Sequence, residues 1–435
     1  MTMDDTSFDE MPMNMNLDAN TILEWRWFFE ELRRCVKAYL YHDSEADDLI
    51  SLIKTNASPT FSSRFQRLTQ GFWETEKKLL LVLASHMQRK GVIAWRTTAG
   101  MAADAREEMD SAVADLLDRG IVVTIPDDSD VEKRSQLGTP VILSQNAFKS
   151  LFEGLADFVN LTGSLAGSGK KVQCSDIVSK ALYYDRDTQK EVDRLLAALS
   201  PTRFDGIMDY LSRLGRRRSV SCLLYGPPGT GKTELALQTA RSTGRNIIQA
   251  DIAKMTGSYV GESERNYRLL FTAYRYAVLI AEAAPILLLN EADSFFSRRI
   301  QVVHALDKYE NNLQNILLEE LESFEGILMA TTNHTEGMDE AYDRRFFMKV
   351  KLGIPGSETR HRIWRNTMPA LPEEDISFLA ERFRMTGAQI NNVVARYDFL
   401  TALDEHTPSF NELVELCAAE EGGSIGRQRK RIGYK

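Results

Sequence analysis

The chain has 435 residues, 43% of them hydrophobic, so it can form two or three domains that each bury a core. Its formal net charge of −9 argues against a general attraction to nucleic acid or to anionic lipid. Four scattered cysteines without a CxxC pair, an acidic start and no apolar run near the roughly 18 residues of a membrane helix predict a cytoplasmic protein.

The N-terminal third begins with helical patterns. Residues 1–20 are acidic and rich in Met, and we expect them to be disordered. Leucines and aromatic residues recur at helical spacing between 21 and 53, which predicts a helix or a helical pair. Two further helices are predicted at 74–90 and 105–120, the second ending at Gly120. Four aromatic residues of the first helix are interpreted as core residues: Trp25, Trp27, Phe28 and Phe29.

Two apolar runs, 121–125 and 140–144, flank a polar segment as the strands of a hairpin would. The order of these elements resembles a winged-helix domain, a class that often binds DNA. However, the helix that would enter the DNA groove is acidic, and residues 71–158 hold 14 acidic and 10 basic residues. Because non-specific DNA binding depends on neutralising phosphates, we expect a protein-interaction or oligomerisation module instead.

Residues 160–171 are rich in Gly and Ser and predict a linker, after which a helical stretch at 187–214 leads into a larger domain. Short apolar runs then alternate with amphipathic helices, which predicts an α/β fold whose five-stranded parallel sheet is covered on both faces. The predicted strands are 222–225, 246–250, 286–289, 327–332 and 348–352. After Pro372 the pattern is helical to about Glu421, which predicts a small helical lid.

The segment "GPPGTGKT" fits the pattern G-x-x-x-x-G-K-T, and it follows a predicted strand and opens a predicted helix. In that setting, glycines allow backbone N–H groups to converge on phosphates, and the helix N-terminus attracts anions. We expect Lys232 to reach the β- and γ-phosphates and the Thr233 hydroxyl to coordinate Mg²⁺. The predicted nucleotide contacts are Pro228, Gly229, Thr230, Gly231, Lys232, Thr233 and Glu234.

About sixty residues later, "ILLLNEAD" places polar groups at the end of an apolar strand. In such sites the first polar position orients water on Mg²⁺, and the following Glu polarises the attacking water. Glu291 occupies the second position and is the predicted general base. Asn290 occupies the first and, with Thr233, is a predicted metal-site residue. Its amide can still hydrogen-bond a metal-bound water or Thr233, but it brings no negative charge. We therefore expect weaker metal binding and slower hydrolysis, unless a nearby acid such as Asp293 compensates.

Together these segments resemble the AAA ATPase family over about residues 200–421. The string "GSYVGESE" is similar to the loop with which AAA rings grip a polypeptide in their pore. The resemblance assigns that role to Tyr259, Val260 and Gly261. The string "MATTN" is similar to the sensor 1 segment, and the resemblance implies that Asn333 positions the attacking water.

Two further segments extend the resemblance. "MDEAYDRRFFMKVKL" is similar to the second region of homology, which implies that Arg344 and Arg345 are arginine fingers for a neighbouring subunit. "TGAQI" is similar to the lid segment that packs near the adenine, which assigns nucleotide contacts to Gly387 and Ala388. "LYYDRDTQKEV", from Leu182, is similar to the linker that covers the base. Fingers supplied in trans require a neighbouring subunit, and the resemblance implies a homo-oligomeric ring, a hexamer.

The predicted organisation is an acidic N-terminus (1–20), an interaction domain (21–158), a linker with its helix (159–199), an ATPase αβα subdomain (200–365), a lid (366–421) and a basic tail (422–435). The preferred function is a Mg²⁺-dependent ATPase that remodels or threads a protein partner recruited by residues 1–160. A second hypothesis is an ATP-binding switch or scaffold with slow or no hydrolysis, favoured by Asn290. An ATP-gated DNA-binding protein ranks lowest because of the acidic helix.

Overall fold

The computed structural model describes residues 19–41, 49–90, 95–98, 100–124, 141–153, 159, 169–255, 262–293, 305–333, 340–404 and 406–425. The chain divides into two compact units. The first contains Met1–Ala166 and Leu269–Glu282, and the second contains Gly167–Arg268 and Ala283–Lys435. Several predicted features lie outside the described residues: most of both charged termini, the hairpin tip, most of the Gly/Ser-rich linker and the predicted pore loop.

The described part of the first unit is mainly helical. Its helices are α1 (Ala19–Tyr41), α2 (Leu49–Asn56), α3 (Pro59–Leu68), α4 (Glu74–Lys90), α5 (Ala103–Asp118) and α6 (Gln145–Phe152). The predicted hairpin strands are confirmed as β1 (Val122–Thr124) and β2 (Val141–Leu143), which pair antiparallel. The resemblance to a winged helix stays a prediction.

The core of the first unit is aromatic. Trp25, Phe28 and Phe29 of α1 are fully buried, and they surround Phe61 of α3. Their spacing of three and four residues places them on one helix face. Trp27, by contrast, is 55% exposed. The core interpretation is therefore confirmed for three of the four aromatic residues and wrong for Trp27.

The second unit is built on a six-stranded sheet. Its strands are β3 (Gly169–Val172), β4 (Ser219–Tyr225), β5 (Ile247–Asp251), β6 (Ile286–Asn290), β7 (Gly326–Thr332) and β8 (Met348–Lys351), in the order β3-β5-β6-β7-β4-β8. The five predicted strands are present and parallel. The prediction missed β3, which pairs antiparallel with β5 at the sheet edge. Its short sequence "GKKV" is polar, which is common in edge strands, so it resembled the linker.

Apart from residues 269–280, which belong to the first unit, the remaining described helices belong to the second unit, where they accompany the sheet and form the lid. They are α7 (Arg186–Leu199), α8 (Pro201–Arg213), α9 (Lys232–Thr243), α10 (Ile252–Met255), α11 (Glu262–Ile280), α12 (Ala305–Glu322), α13 (Glu340–Asp343), α14 (Ser357–Thr367), α15 (Glu373–Arg382), α16 (Gly387–Asp404) and α17 (Phe410–Ile425). The predicted helix at 187–214 divides because Pro201 starts a new helix. Among the described residues, none of these helices has the length and apolarity that crossing a membrane requires.

Two domain boundaries differ from the prediction. Trp364 of α14 is fully buried in the same apolar cluster as the side chains of α15, α16 and α17. The lid core therefore includes α14, which the sequence placed in the larger subdomain because the helical pattern became continuous only after Pro372. Residues 269–282, also expected in that subdomain, belong to the first unit. There the Tyr276 hydroxyl donates to the carbonyl oxygen of Leu143, and its ring contacts Phe148.

Candidate active site

The turn between β4 and α9 depends on glycines, because other segments approach it too closely for side chains. A Cβ atom at Gly226 would lie 1.9 Å from the carbonyl oxygen of Leu352, and one at Gly229 would lie 2.9 Å from Thr386 Oγ1. Both glycines, like Gly231, also have positive φ angles, which side chains disfavour. The turn ends at the N-terminus of α9, where backbone N–H groups favour an anion.

Lys232 lies inside this turn. Its side chain is buried, and Nζ donates to the carbonyl oxygens of Gly226 and Pro227 at 2.8 Å each. Burial lowers the pKa of Lys232, while the charge of the Asp293 carboxylate opposes that change. An ammonium group has three donors, so a third remains for a phosphate oxygen.

Asn290, at the end of β6, links two neighbouring segments. Its Oδ1 accepts hydrogen bonds from Thr233 Oγ1 at 2.8 Å and from Thr331 Oγ1 at 3.0 Å. Thr331 Oγ1 in turn accepts from the backbone N–H of Glu291 at 3.0 Å. The amide oxygen of Asn290 therefore fills the acceptor role that a carboxylate would have, without its charge.

The oxygen atoms around Thr233 fit Mg²⁺. Because the Thr233 hydroxyl hydrogen is donated to Asn290, the oxygen lone pairs remain available for a cation. Glu291 lines the same cavity as Thr233, whereas Asn290 is not among the residues that line it. Within the described ranges, no group of three His, Cys, Asp or Glu residues could hold a metal ion. Mg²⁺ is commonly held by one or two protein oxygens together with phosphates and water.

Glu291 has an unusual backbone. Its φ angle of 53° lies in the left-handed region, which costs a non-glycine residue about 1–3 kcal/mol. The conformation is held because the N–H groups of Glu291 and Ala292 donate to the side chain and the carbonyl oxygen of Thr331, respectively. The carboxylate of Glu291 is exposed and lines the cavity, as a base that activates water must.

Asn333, at the end of β7, also lines the cavity. Its backbone N–H and its side-chain Nδ2 donate to the two carboxylate oxygens of Asp293, at 2.7 and 2.9 Å. Thr332 Oγ1 donates to the same carboxylate at 2.6 Å. Asp293 therefore contacts the residue with the predicted sensor role.

The whole cavity has a volume of about 930 Å³. Its other end is lined by residues 179–185 and by side chains of the lid helices α14 and α16. The lid approaches the turn where the Ala388 N–H donates to the carbonyl oxygen of Gly229 at 3.1 Å. The predicted nucleotide contacts that line the cavity are Pro228, Gly229, Thr230, Gly231, Lys232, Thr233, Glu234, Gly387 and Ala388.

The segment 179–185 is attached to both subdomains. Lys180 forms an ion pair with Glu234 of α9 at 2.8 Å. The Asp185 carboxylate accepts from the Gly356 N–H at 3.1 Å and from the Thr359 hydroxyl at 2.5 Å, which joins this segment to the start of α14. This segment therefore ties the lid to the side of the cavity.

One polar atom of this segment lacks a protein partner. The hydroxyl of Tyr184 is buried and has no hydrogen bond within the described parts of the chain. Burial and the charge of Glu234 raise the pKa of Tyr184, so its hydroxyl is a neutral donor. Since Tyr184 lines the cavity, a bound molecule is a natural partner for it.

The two predicted fingers differ from each other, and neither lines the cavity. Arg344 is exposed. Arg345 forms an ion pair with Glu322 of α12 and donates to the carbonyl oxygen of Ala341, and its own carbonyl accepts from Ser221. Arg345 is therefore engaged within its own chain. The predicted pore-loop residues Tyr259, Val260 and Gly261 lie outside the described residues.

Sequence reasoning missed several contacts of the site. Thr331 and Asp293 lie within recognised motifs, but the sequence did not indicate that Thr331 bonds to Asn290 or that Asp293 bonds to Asn333. Asp185 and Thr359 lie 174 residues apart, and nothing in either local sequence indicates their contact.

Part of the chain is similar in sequence to known proteins. Residues 222–354 match the model of a family described as "ATPase family associated with various cellular activities (AAA)". The chain is similar to Spastin of Sus scrofa, with 29% identity over 231 residues that cover 51% of this chain and 33% of the relative. Spastin of Danio rerio is 29% identical over 54% of this chain and 39% of the relative, and Spastin of Drosophila virilis is 28% identical over 52% and 27%. The chain thus spans about a third of the length of these curated relatives.

Proposed function

We propose a function from the premise that residues 222–354 form an AAA-type ATPase domain, a class that binds ATP with Mg²⁺. The chain hydrolyses ATP in a site shared between subunits of a homo-oligomeric ring. It uses the nucleotide cycle to remodel or thread a protein partner.

The observation that carries this proposal is the hydrogen-bonded row Thr233–Asn290–Thr331–Glu291 beside the phosphate-binding turn. In our proposal Lys232 and the N-terminus of α9 hold the phosphates, and Thr233 contributes a ligand to Mg²⁺. The bound Mg²⁺ supplies positive charge that offsets the phosphate oxygens. Glu291 takes a proton from the attacking water, which displaces ADP from the γ-phosphoryl group.

The positions of the arginines support the proposal of a ring. No arginine lines the described cavity, while Arg344 is exposed on its own chain. An arginine that enters a neighbour's site can raise turnover by about 10³–10⁵. We propose Arg344 as that finger, and assign Arg345 a structural role because of its bond to Glu322.

A protein partner is preferred to a nucleic acid. The exposed face of α5 carries Glu107, Asp110, Asp115 and Asp118, which would repel phosphates. The motif at Tyr259 is typical of loops that grip polypeptides. We therefore propose that residues 1–160 recruit a protein and that the loop at 259–261 engages it.

Steady-state ATP hydrolysis across protein concentration tests this proposal. If sites are shared, the rate should rise faster than linearly through the assembly range, while light scattering in ATP reports an oligomer. A rate proportional to concentration from nanomolar upward, with a monomer in light scattering, would contradict the shared site.

The alternative function is an ATP-binding switch or scaffold that hydrolyses slowly or not at all. The missing charge at Asn290 favours it. Asn290→Asp restores that charge and should lower the Mg²⁺ concentration needed for half-maximal turnover. ATP binding without turnover in the wild type would favour the switch.

A further inference from the structure

The Asp293 carboxylate, three residues after Asn290, is used in an unexpected way. Asp293 accepts three hydrogen bonds from two consecutive residues, Thr332 and Asn333, at 2.6, 2.7 and 2.9 Å. Asp293 is not among the residues that line the cavity, whereas Asn333 is. Asp293 therefore bonds directly to a residue of the cavity, Asn333, while its charge also acts on Lys232.

The chemistry of the two groups decides how the Asn333 amide is turned. An ionised carboxylate can only accept hydrogen bonds, whereas an amide has one accepting oxygen and one donating nitrogen. Facing Asp293, the Asn333 amide must present Nδ2, as it does at 2.9 Å. Its Oδ1 is therefore turned away from Asp293.

We propose that Asp293 is a positioning residue: it locks the Asn333 amide so that the oxygen, and not the nitrogen, accepts a hydrogen from the attacking water. The water then faces two acceptors, Asn333 Oδ1 and the Glu291 carboxylate, which orient its lone pair toward the γ-phosphorus. The negative charge that position 290 lacks is present at 293, where it orients an amide instead of a metal. This inference rests on the proposed ATPase function.

A polarity swap tests the lock. Asp293→Asn keeps an accepting oxygen for the Asn333 backbone N–H but sets two amide nitrogens against each other, so the Asn333 amide turns over. We expect kcat to fall by about 10²-fold, at the lower end of the range for loss of one preorganised contact, and by more than ATP affinity falls. Asn333→Asp sets two carboxylates together and should lower kcat similarly.

The double variant Asp293→Asn/Asn333→Asp reverses donor and acceptor and again leaves an oxygen toward the water. It should recover kcat to at least about tenfold above either single variant, a coupling that a double-mutant cycle isolates. Asp209→Asn is the matched control, because it removes one exposed negative charge that pairs with Arg218 and does not line the cavity. Melting temperatures of all variants establish that they are folded.

The outcomes separate the two proposals. Wild-type turnover with an unchanged kcat in Asp293→Asn, or a double variant no better than the singles, overturns the lock and leaves the ATPase intact. An absence of wild-type turnover overturns the proposed function and the lock with it. If Asp293→Asn does not fold, Asn333→Asp with and without Asp293→Asn still measures the rescue.

Discussion

The two ends of the cavity are constructed differently. The phosphate end is formed by the ends of adjacent strands, β6 and β7, and by the turn after β4, which Thr233, Asn290 and Thr331 join directly. The other end is formed by residues 179–185 and the lid, held by contacts such as that between Asp185 and Thr359. The phosphate end is thus preorganised within one sheet, while the other end depends on how the lid docks. Changes at the phosphate end should act mainly on binding of phosphates and on turnover, and changes at the lid end on nucleotide affinity alone.

The largest effect is expected from Lys232→Ala at the phosphate end. The variant removes the buried ammonium beside Gly226 and Pro227, so ATP binding should become undetectable and turnover should disappear. Titration with a fluorescent ATP analogue measures the affinity. Lys190→Ala, which alters an exposed lysine paired with Asp187, is the control. Unchanged affinity in Lys232→Ala would show that the phosphates do not bind at this end of the cavity.

The next largest effect separates the two arginines. Arg344→Ala should lower turnover by about 10³ or more while ATP affinity stays unchanged, since an arginine finger acts on the transition state. Arg345→Ala should lower the melting temperature by a few degrees, about that expected for 1–2 kcal/mol, because Glu322 loses its partner. Turnover assays and thermal melts check both.

Mixing subunits sharpens this second prediction. A Glu291→Gln subunit retains Arg344 but lacks the proposed base in its own site. An Arg344→Ala subunit retains that base but offers no arginine finger to its neighbour. When the two are mixed, turnover should return wherever a site that contains Glu291 faces a neighbour that contains Arg344. Wild-type turnover in Arg344→Ala alone would show that this residue is not the finger.

A smaller effect is expected at the lid end from Asp185→Ala. The variant removes the hydrogen bonds from the Gly356 N–H and the Thr359 hydroxyl, which together are worth about 1–2 kcal/mol at this exposed position. ATP affinity should fall by about tenfold, with kcat changed by less than KM. Asp187→Ala is a close control, because the Asp187 side chain is 95% exposed. A loss of kcat at unchanged affinity would contradict the division between the two ends.

The smallest effect is expected from Tyr184→Phe. If the unpartnered hydroxyl donates to the nucleotide, ATP affinity should fall by about three- to tenfold, the value of one hydrogen bond. Without nucleotide the variant should melt no lower than the wild type, because it removes a buried polar atom that lacks a protein partner. Equal affinity of the two proteins would show that Tyr184 does not contact the nucleotide.

The same division explains how much the sequence could predict. The five parallel strands and the strings that end them are local, so spacing and residue type located Lys232, Thr233 and Glu291 at one cavity. The strand Gly169–Val172 was missed because its residues are polar and because the strand with which it pairs, β5, lies far along the chain. The contact of Asp185 with Thr359, and the inclusion of α14 in the lid core, depend on tertiary packing that no local string encodes.

Position 290 shows both what the sequence could predict about the site and what it could not. The sequence predicted that the missing charge would weaken the metal site and named Thr233 as a possible partner of Asn290, but it did not indicate the contact with Thr331. In the structure its oxygen accepts from Thr233 and Thr331, so the geometry around Thr233 is retained without the charge. Whether the retained geometry supports hydrolysis is the central question about the site.

Hydrolysis by the wild type and by Glu291→Gln, with ATP binding measured on the same samples, tests the central claim most directly. Glu291→Gln removes the proposed base and leaves the backbone bond of residue 291 to Thr331 in place. The account predicts wild-type turnover with Mg²⁺, equal ATP affinity in the two proteins, and a loss of turnover in the variant of about 10²–10⁴. Equal turnover in the two proteins, or ATP binding without any wild-type turnover, would contradict it.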